Sequence, residues 1–192
     1  TRTDGDRTSL ALIGSPGLTP FCTTIGANPS RGMWSVDTIA TPLLFTVHGN
    51  TLYSINNAGT TSVIGTIGTT SGDVSMVDDG TNLMLVDGFK GYVYNVLAPA
   101  GLNQIVSGNF PTNPVTVTWQ DTYFIVNDGL TNQFNLSANG DPTTWPAIQI
   151  NFTGAAPGAV QALIADHSIL NIFGPKASEF WQDTGLENPY SP

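Results

Sequence analysis

The sequence predicts an all-β fold, specifically a β-propeller of which about four blades of a larger ring are visible. Charged residues make up only 10% of the 192 residues, against roughly 25% in a usual soluble domain. The polar surface must therefore consist mainly of Thr, Ser, Asn and Gln, which favour strands and turns over long exposed helices. The 21 glycines and 13 prolines indicate many turns. A repeat of about 40 residues points to propeller blades.

The repeat is built on a hairpin that occurs three times. An apolar strand runs into a turn rich in Gly, Asp and Asn, and a second strand with an aromatic-x-aliphatic core follows. The aromatic residues Tyr53, Tyr94 and Phe134 recur at roughly 40-residue intervals, and Phe180 begins a looser fourth copy. We therefore expect Tyr53, Tyr94 and Phe134 to occupy equivalent strand positions.

A further strand is predicted before each hairpin, and a weaker one after the first three. The strands before the hairpins are residues 32–36, 73–77, 115–119 and 161–164. The weaker strands are residues 61–64, 102–106 and 145–150. Four short strands repeated in this way are typical of propeller blades, because stacked blades cover faces that a single sheet leaves bare. A sandwich or barrel with similar hairpins is the alternative.

The domain organisation that follows is an extended lead-in and one incomplete propeller. The lead-in covers residues 1–30 and contains one short strand at residues 10–13. The propeller covers residues 31–192, in units of roughly 31–70, 71–110, 111–155 and 156–192.

The fourth unit is expected to stop inside its outer half at Pro192, whereas propellers close with about four to eight blades. Apolar surface is then expected on the hairpin of residues 169–173 and on the facing side of residues 43–47, more than a soluble monomer usually exposes. We expect further C-terminal residues of the same polypeptide to cover it, with a neighbouring subunit as the second possibility.

The charge balance disfavours two classes of partner. Fourteen acidic residues against five basic ones give a net charge of −9 and a pI near 4.1. Tight phosphate binding needs clustered Lys and Arg, and the five here are scattered, so ordinary nucleic-acid binding and attachment to anionic membranes are both disfavoured. The sequence also shows no signal-peptide pattern and no apolar run of about 18 residues. The only cysteine, Cys22, cannot form an intrachain disulfide.

No catalytic, cofactor-binding or metal-ligating residue is predicted. The only histidines are His48, in a predicted hairpin turn, and His167, which follows Asp166 in another. A nucleophile would need a positioned base, and neither histidine has a supporting partner in the sequence. Two distant histidines and Cys22 also make a poor zinc site, so no structural metal is expected.

The aspartates are explained first by turn formation. The pairs Asp79-Gly80, Asp87-Gly88 and Asp128-Gly129 lie where a hairpin needs residues that tolerate left-handed backbone. Paired carboxylates such as Asp78-Asp79 are also the groups that glycosidases use, so a carbohydrate-active or carbohydrate-binding propeller is the alternative function.

The stretch 137–145 loosely resembles the aspartate box of sialidase blades, but its spacing is one residue too long. A sialidase would also need clustered arginines, and the three here all lie within the first 31 residues. Asp128-Gly129 and Asn139-Gly140-Asp141 do not match the alternating-oxygen pattern of a calcium loop. Asn135 and Asn151 begin glycosylation sequons by pattern only.

Motifs in a shared order along about 170 residues resemble the tail hub proteins of short-tailed bacteriophages, also called packaged DNA stabilisation proteins. The motifs lie at residues 15–18 (SPGL), 30–33 (SRGM), 47–53 (VHGNTLY), 85–88 (LVDG), 91–94 (GYVY), 120–127 (QDTYFIVN), 141–145 (DPTTW), 173–174 (FG), 178–181 (SEFW) and 184–185 (TG). Each motif alone has low specificity, and the match depends on their order.

This resemblance implies a structural virion protein and no enzyme. Such a protein is located in the phage tail, and in the host cytoplasm during assembly. It would be a head-tail connector whose own copies form a ring below the portal and tail adaptor. It would plug or extend the DNA channel and hold tail spike or needle proteins. DNA would be a transiting cargo, and no stable membrane binding is implied. The family members are much longer than this sequence, which is similar to their N-terminal portion, and no subunit-contact residue is carried over from them.

Overall fold

The computed structural model describes residues 17, 20–22, 25–154, 158–186 and 188–192. Within these ranges the chain forms four four-stranded antiparallel sheets, each a meander of consecutive strands, with one short 3₁₀ helix at Ala147–Gln149. The all-β prediction is confirmed. The predicted strand at residues 10–13, with most of the lead-in, lies outside the described residues.

We number the sheets as blades 1 to 4. Blade 1 contains β1 (Ser30–Val36), β2 (Leu43–His48), β3 (Thr51–Asn56) and β4 (Thr61–Thr66). Blade 2 contains β5 (Ser75–Asp78), β6 (Asn82–Val86), β7 (Gly91–Asn95) and β8 (Asn103–Gln104). Blade 3 contains β9 (Pro114–Gln120), β10 (Tyr123–Asp128), β11 (Gln133–Leu136) and β12 (Ile150–Phe152). Blade 4 contains β13 (Ala162–Asp166), β14 (Ile169–Phe173), β15 (Ser178–Asp183) and β16 (Tyr190–Ser191).

The blades stack face to face, and each of the three interfaces contains an apolar cluster. Phe45 of blade 1 packs edge-to-face on Tyr94 of blade 2, with ring centroids 5.8 Å apart. Met84 of blade 2 shares a second cluster with Phe124 of blade 3. The second strands of blades 2 and 3 are buried on both faces, which explains why their sequences are continuously apolar.

The first strands of neighbouring blades are joined by side-chain hydroxyls. The Ser75 hydroxyl accepts a hydrogen bond from the backbone N–H of Val117 in the next blade at 3.1 Å. Thr116 and Thr118 of blade 3 accept in the same way from Leu163 and Ala165 of blade 4, at 3.0 and 3.2 Å. Both threonine bonds span the same number of residues along the chain. Arg31 and Trp34 of blade 1 are bonded to Val74 and Asp78 of blade 2 in the same chain order. The first strands therefore run parallel, and corresponding loops of all four blades lie at the same end of the stack.

The expected equivalence of the three repeat aromatics is only partly correct. Tyr94 is opposite Leu83 and faces the preceding blade, and Tyr53 lies on the corresponding face of blade 1. Phe134 is opposite Asn127 and faces the following blade, where it packs on Trp181. The hairpin loops differ in length, so Tyr53 is the third residue of its strand and Phe134 the second. A shift by one residue turns a side chain to the other face.

Two other strand expectations need correction. Residues 145–150 were expected to form the fourth strand of the third unit, but β12 begins at Ile150. Trp145 instead turns inwards from a loop and packs edge-to-face on Phe110. The fourth unit was expected to stop inside its outer half, but β16 pairs with β15 through Asp183 and Tyr190 and gives it a fourth strand. That strand is short and has no periodicity, so no sequence pattern indicates it.

The two terminal blades each leave one sheet face without a neighbouring blade. On the outer face of blade 4, Ile164 and Phe180 are 55% and 65% exposed, and Ile169 and Phe173 are also exposed. On the outer face of blade 1, an apolar cavity of about 400 Å³ is lined by residues that include Phe21, Met33 and Ile55.

Candidate interaction surface

The alternating strand direction divides the loops of the stack into two sets. The turns between the first and second strands of every blade, and the connections between the third and fourth strands, lie at one end. We call this end the acidic rim, for the residues described below. The turns between the second and third strands and the connections between blades lie at the opposite rim.

Charges are distributed unequally between the two rims. Seven of the acidic residues in the described part of the chain lie at the acidic rim, namely Asp37, Asp78, Asp79, Asp121, Asp141, Asp166 and Asp183. All three Lys and Arg residues of the described part lie at the opposite rim, namely Arg31, Lys90 and Lys176.

The basic side chains of the opposite rim differ in their availability. Arg31 donates five hydrogen bonds within the chain, to the carbonyl oxygens of Gly49, Thr69, Ser71 and Gly72 and to the Thr69 hydroxyl, at 2.6–2.8 Å. The Lys90 ammonium lies 4.6 Å from the centre of the Phe89 ring. Lys176 is exposed. Since the Arg31 guanidinium is bound internally, the described surface offers little positive charge to a phosphate backbone.

The turn aspartates behave as the sequence indicates. Oδ1 of Asp87 accepts hydrogen bonds from the N–H groups of Phe89 and Lys90 at 3.0 and 2.7 Å, and Asp79 and Asp128 accept similarly within their own turns. The glycines after Asp79 and Asp87 have φ of +86°. Gly129 has no positive φ, so that expectation is wrong. A Cβ at Gly129 would instead lie 2.2 Å from the Val115 side chain, which explains the need for glycine there.

The two histidines are far from any catalytic arrangement. His48 is the last residue of β2 rather than part of the turn, and its Nδ1 lies 2.7 Å from the Asn28 carbonyl oxygen. His167 is exposed, has φ of +47° and lies against the neighbouring Asp166 carboxylate. Among the residues that the structure describes, no group of three or more His, Cys, Asp or Glu is placed to hold a metal ion. The same residues contain no helix that could cross a membrane.

The loop that resembles an aspartate box is a closed structural turn. Oδ1 of Asp141 accepts hydrogen bonds from the N–H and the hydroxyl of Thr143 at 2.8 and 2.6 Å. Hydrogen bonds from Thr143 and Thr144 lower the pKa of Asp141, and the indole of the buried Trp145 donates to the Pro142 carbonyl oxygen at 3.0 Å. The carboxylate is engaged within its own loop rather than presented to a substrate. The two sequon asparagines, Asn135 and Asn151, are buried in strands and offer no acceptor for glycosylation in this fold.

One corner of the acidic rim, between blades 3 and 4, contains groups from two segments that are far apart in the sequence. Tyr190 pairs with Asp183 across blade 4, and Gln120 is opposite Tyr123 at the end of the first hairpin of blade 3. Burial raises the pKa of the Tyr190 hydroxyl, and the charges of Asp121 and Asp183 raise it further. We call these five residues the Tyr190 corner. Gln120, Asp121 and Tyr123 are neighbours in one segment of blade 3, but no pattern links them to Asp183 and Tyr190, because the two segments meet only through the packing of two blades.

Comparison with known proteins decides the family. The model of the phage stabilisation family (Phage_stabilise), described as bacteriophage P22 Gp10, β-propeller, matches residues 7–191. The chain belongs to this family. The resemblance found in the sequence and the propeller-like fold are both confirmed, and the member described here is a phage structural protein of the β-propeller type.

Solved structures show the same fold at low sequence identity. A chain of a mitotic checkpoint complex has 13% identity and a TM-score of 0.55, over 93% of this phage stabilisation protein and 58% of that chain. A chain of the Chaetomium thermophilum Polycomb repressive complex 2 has 13% identity and a TM-score of 0.59, and the match covers 89% of this chain and 42% of that chain. PorZ of Porphyromonas gingivalis has 11% identity and a TM-score of 0.55, and the match covers 84% of this chain and 22% of that chain. The chain thus spans about half the length of the first two. No curated protein matches it.

Proposed function

We propose that the chain is part of a tail hub of a short-tailed phage, where its own copies form a ring below the portal and tail adaptor. The ring retains packaged DNA, forms part of its exit channel and holds tail spike or needle proteins. It does this without catalysis. The observation that carries the proposal is the phage stabilisation family match over nearly the whole chain.

The charge distribution supports a conduit rather than a binding groove. A DNA-binding surface neutralises phosphates with clustered Lys and Arg, and its affinity falls steeply with salt. Besides the internally bound Arg31, the described part of the chain has only Lys90, over the Phe89 ring, and Lys176 as cations, and seven carboxylates lie together at one rim. Such a surface repels the duplex and lets it move past.

The experiment that tests DNA retention uses particles of the phage that encodes this chain. A nonsense mutation in its gene is expected to give heads that package DNA and then lose it, so their DNA becomes sensitive to nuclease. Supplying the intact gene in trans should restore protection. Particles without the protein that keep nuclease-resistant DNA would contradict the proposal.

Ring formation is tested separately. The full-length protein mixed with its tail adaptor should show rings in negative-stain images, and their absence would remove the hub assignment. Turnover of a glycan by the purified protein that is lost in Asp141→Asn would instead favour the carbohydrate-active alternative.

A further inference from the structure

The unequal charge of the two rims goes beyond the proposed function and does not depend on ring formation. Every blade contributes at least one aspartate to the acidic rim, and the described residues place no Lys or Arg there to balance them. Like charges gathered on one surface repel each other and destabilise the isolated fold. A partner of opposite charge would relieve this repulsion.

The Tyr190 corner provides a second and independent observation. The Tyr190 hydroxyl is buried, with the residue only 3% exposed, and has no hydrogen-bond partner among the residues that the structure describes. Both side-chain polar atoms of Gln120, a residue 7% exposed, are also buried without a partner in this part of the chain. Buried polar groups are normally satisfied, so these atoms call for an explanation. A ligand that supplies donors would bind the carboxylates and satisfy the acceptor oxygens of Tyr190 and Gln120, whereas the Nε2 donor of Gln120 needs an acceptor of its own.

We propose that the acidic rim docks a positively charged segment of a partner protein, and that one Arg or Lys side chain of this segment enters the Tyr190 corner. A guanidinium or ammonium group carries only donors. It can therefore bind the carboxylates of Asp121 and Asp183 and the oxygen of the Tyr190 hydroxyl together. Charge-assisted hydrogen bonds of this kind are stronger than neutral ones.

Other occupants fit the corner less well. Nucleic acid would bring phosphates against carboxylates. A divalent cation usually takes six or more oxygen ligands, and no cluster of three candidate ligand residues exists in the part of the chain that the structure describes. A basic protein segment, in contrast, can follow the whole rim across all four blades.

Binding of a fluorescently labelled oligoarginine peptide to the full chain, followed by fluorescence anisotropy, tests the proposal. Asp121→Asn with Asp183→Asn is expected to weaken binding about five- to tenfold. At residue 121, Asn tolerates the left-handed backbone. At residue 183, Asn retains the Oδ1 atom that accepts the hydrogen bond from the Gly185 N–H. The matched control is Asp73→Asn with Thr70→Lys, which changes the net charge equally at the opposite rim, on two exposed residues. It should change the affinity less than about twofold. Equal weakening by both pairs would show attraction by net charge alone and overturn the proposal.

Two further arms keep the test decisive. Tyr190→Phe changes no charge and removes only the unpartnered hydroxyl, so weaker peptide binding of this variant supports insertion at the corner, and unchanged binding contradicts it. If the first double variant does not fold, Asp37→Asn with Asp166→Asn tests the same rim at exposed positions. Calcium or magnesium that binds the chain, competes with the peptide and is lost in Asp121→Asn with Asp183→Asn would make the corner a metal site and overturn peptide docking.

Discussion

The Thr116 hydroxyl donates a hydrogen bond to Oδ1 of Asn127 at 2.7 Å and accepts one from the Leu163 N–H in the next blade. Asn127 is fully buried, and its Oδ1 also accepts from the Thr116 N–H, at 2.9 Å. Its amide nitrogen donates to the Val160 carbonyl oxygen on the approach to blade 4. One asparagine thus links two strands of blade 3 to the next blade.

Replacing this asparagine with leucine should be costly. Asn127→Leu retains the size of the side chain but leaves the Thr116 N–H and the Val160 carbonyl without partners inside the fold. We expect the free energy of unfolding to fall by about 2–4 kcal/mol, from two orphaned buried groups. Urea denaturation measures it, with Asn57→Leu at an exposed position as the control. Equal stability of the two variants would show that the network contributes nothing.

The Arg31 side chain should stabilise the connection between blades 1 and 2. Arg31→Met removes five hydrogen bonds to the loops around residues 49 and 69–72, and we expect a loss of about 2–3 kcal/mol. Arg31→Lys should recover only a minor part, because an ammonium cannot reproduce the planar fork of donors. Lys176→Met, at the same rim but exposed, is the control. Full stability of Arg31→Lys would mean that charge alone matters.

The hairpins were predictable, since their signals are local. Asp79 and Asp87 precede glycines and accept hydrogen bonds from their own turns, so neighbouring residues in the sequence are also the interacting residues. The propeller followed from the repetition of such hairpins. The side of the sheet that Phe134 faces was not predictable in the same way, because it depends on loop length to within one residue.

The candidate surface could not be predicted from the sequence, for a different reason. Asp166 was assigned to a turn from the sequence and Asp121 was visible only within the motif 120–127, and their common location depends on parallel stacking of the blades. Gln120 belongs to the first strand of blade 3 and Tyr190 to the last strand of blade 4, so the two are far apart in the sequence. Asn127 directly precedes the Asp128-Gly129 pair that the sequence assigns to a turn, but it is a buried strand residue. Contacts between distant segments carry no local pattern.

A glycine in place of Thr122, in the turn after Asp121, should stabilise the protein. Thr122 has φ of +76°, a left-handed conformation that is unfavourable for a β-branched residue. Thr122→Gly removes this strain and should raise the free energy of unfolding by about 0.5–1 kcal/mol, after the greater chain entropy of glycine is deducted. Thr70→Gly, in an exposed loop without positive φ, should lower it slightly. A thermal melt compares them, and a lower Tm for Thr122→Gly would contradict the argument.

The lowered pKa of Asp141 predicts how stability depends on pH. Hydrogen bonds from Thr143 and Thr144 favour the ionised carboxyl in the folded chain. The unfolded chain therefore binds the proton first as the pH falls below about 4, the ordinary range of Asp. The stability that Asp141 adds over Asp141→Asn should be constant at neutral pH. It should shrink as the pH falls from about 4 towards the lowered pKa. Denaturation curves for both forms at several pH values measure this, and a difference that grows in acid would show the opposite shift.

The outer face of blade 4 should be covered when the protein is assembled. Ile164 and Phe180 lie on the sheet face opposite the one that packs on blade 3, and at each of the three existing interfaces such a face meets another four-stranded sheet. We expect a further sheet to pack on it in the same way.

The rate at which a maleimide labels Phe180→Cys, in a Cys22→Ser background, measures whether this face is covered. Labelling should be fast in the chain of residues 1–192 and slow in the assembled protein. The exposed control, Leu130→Cys, should react quickly in both. Protection already present in the full-length monomer would identify the same polypeptide as the source of the sheet, and protection only on assembly would identify a neighbouring subunit. Fast labelling of Phe180→Cys in every state would show that no sheet covers the face.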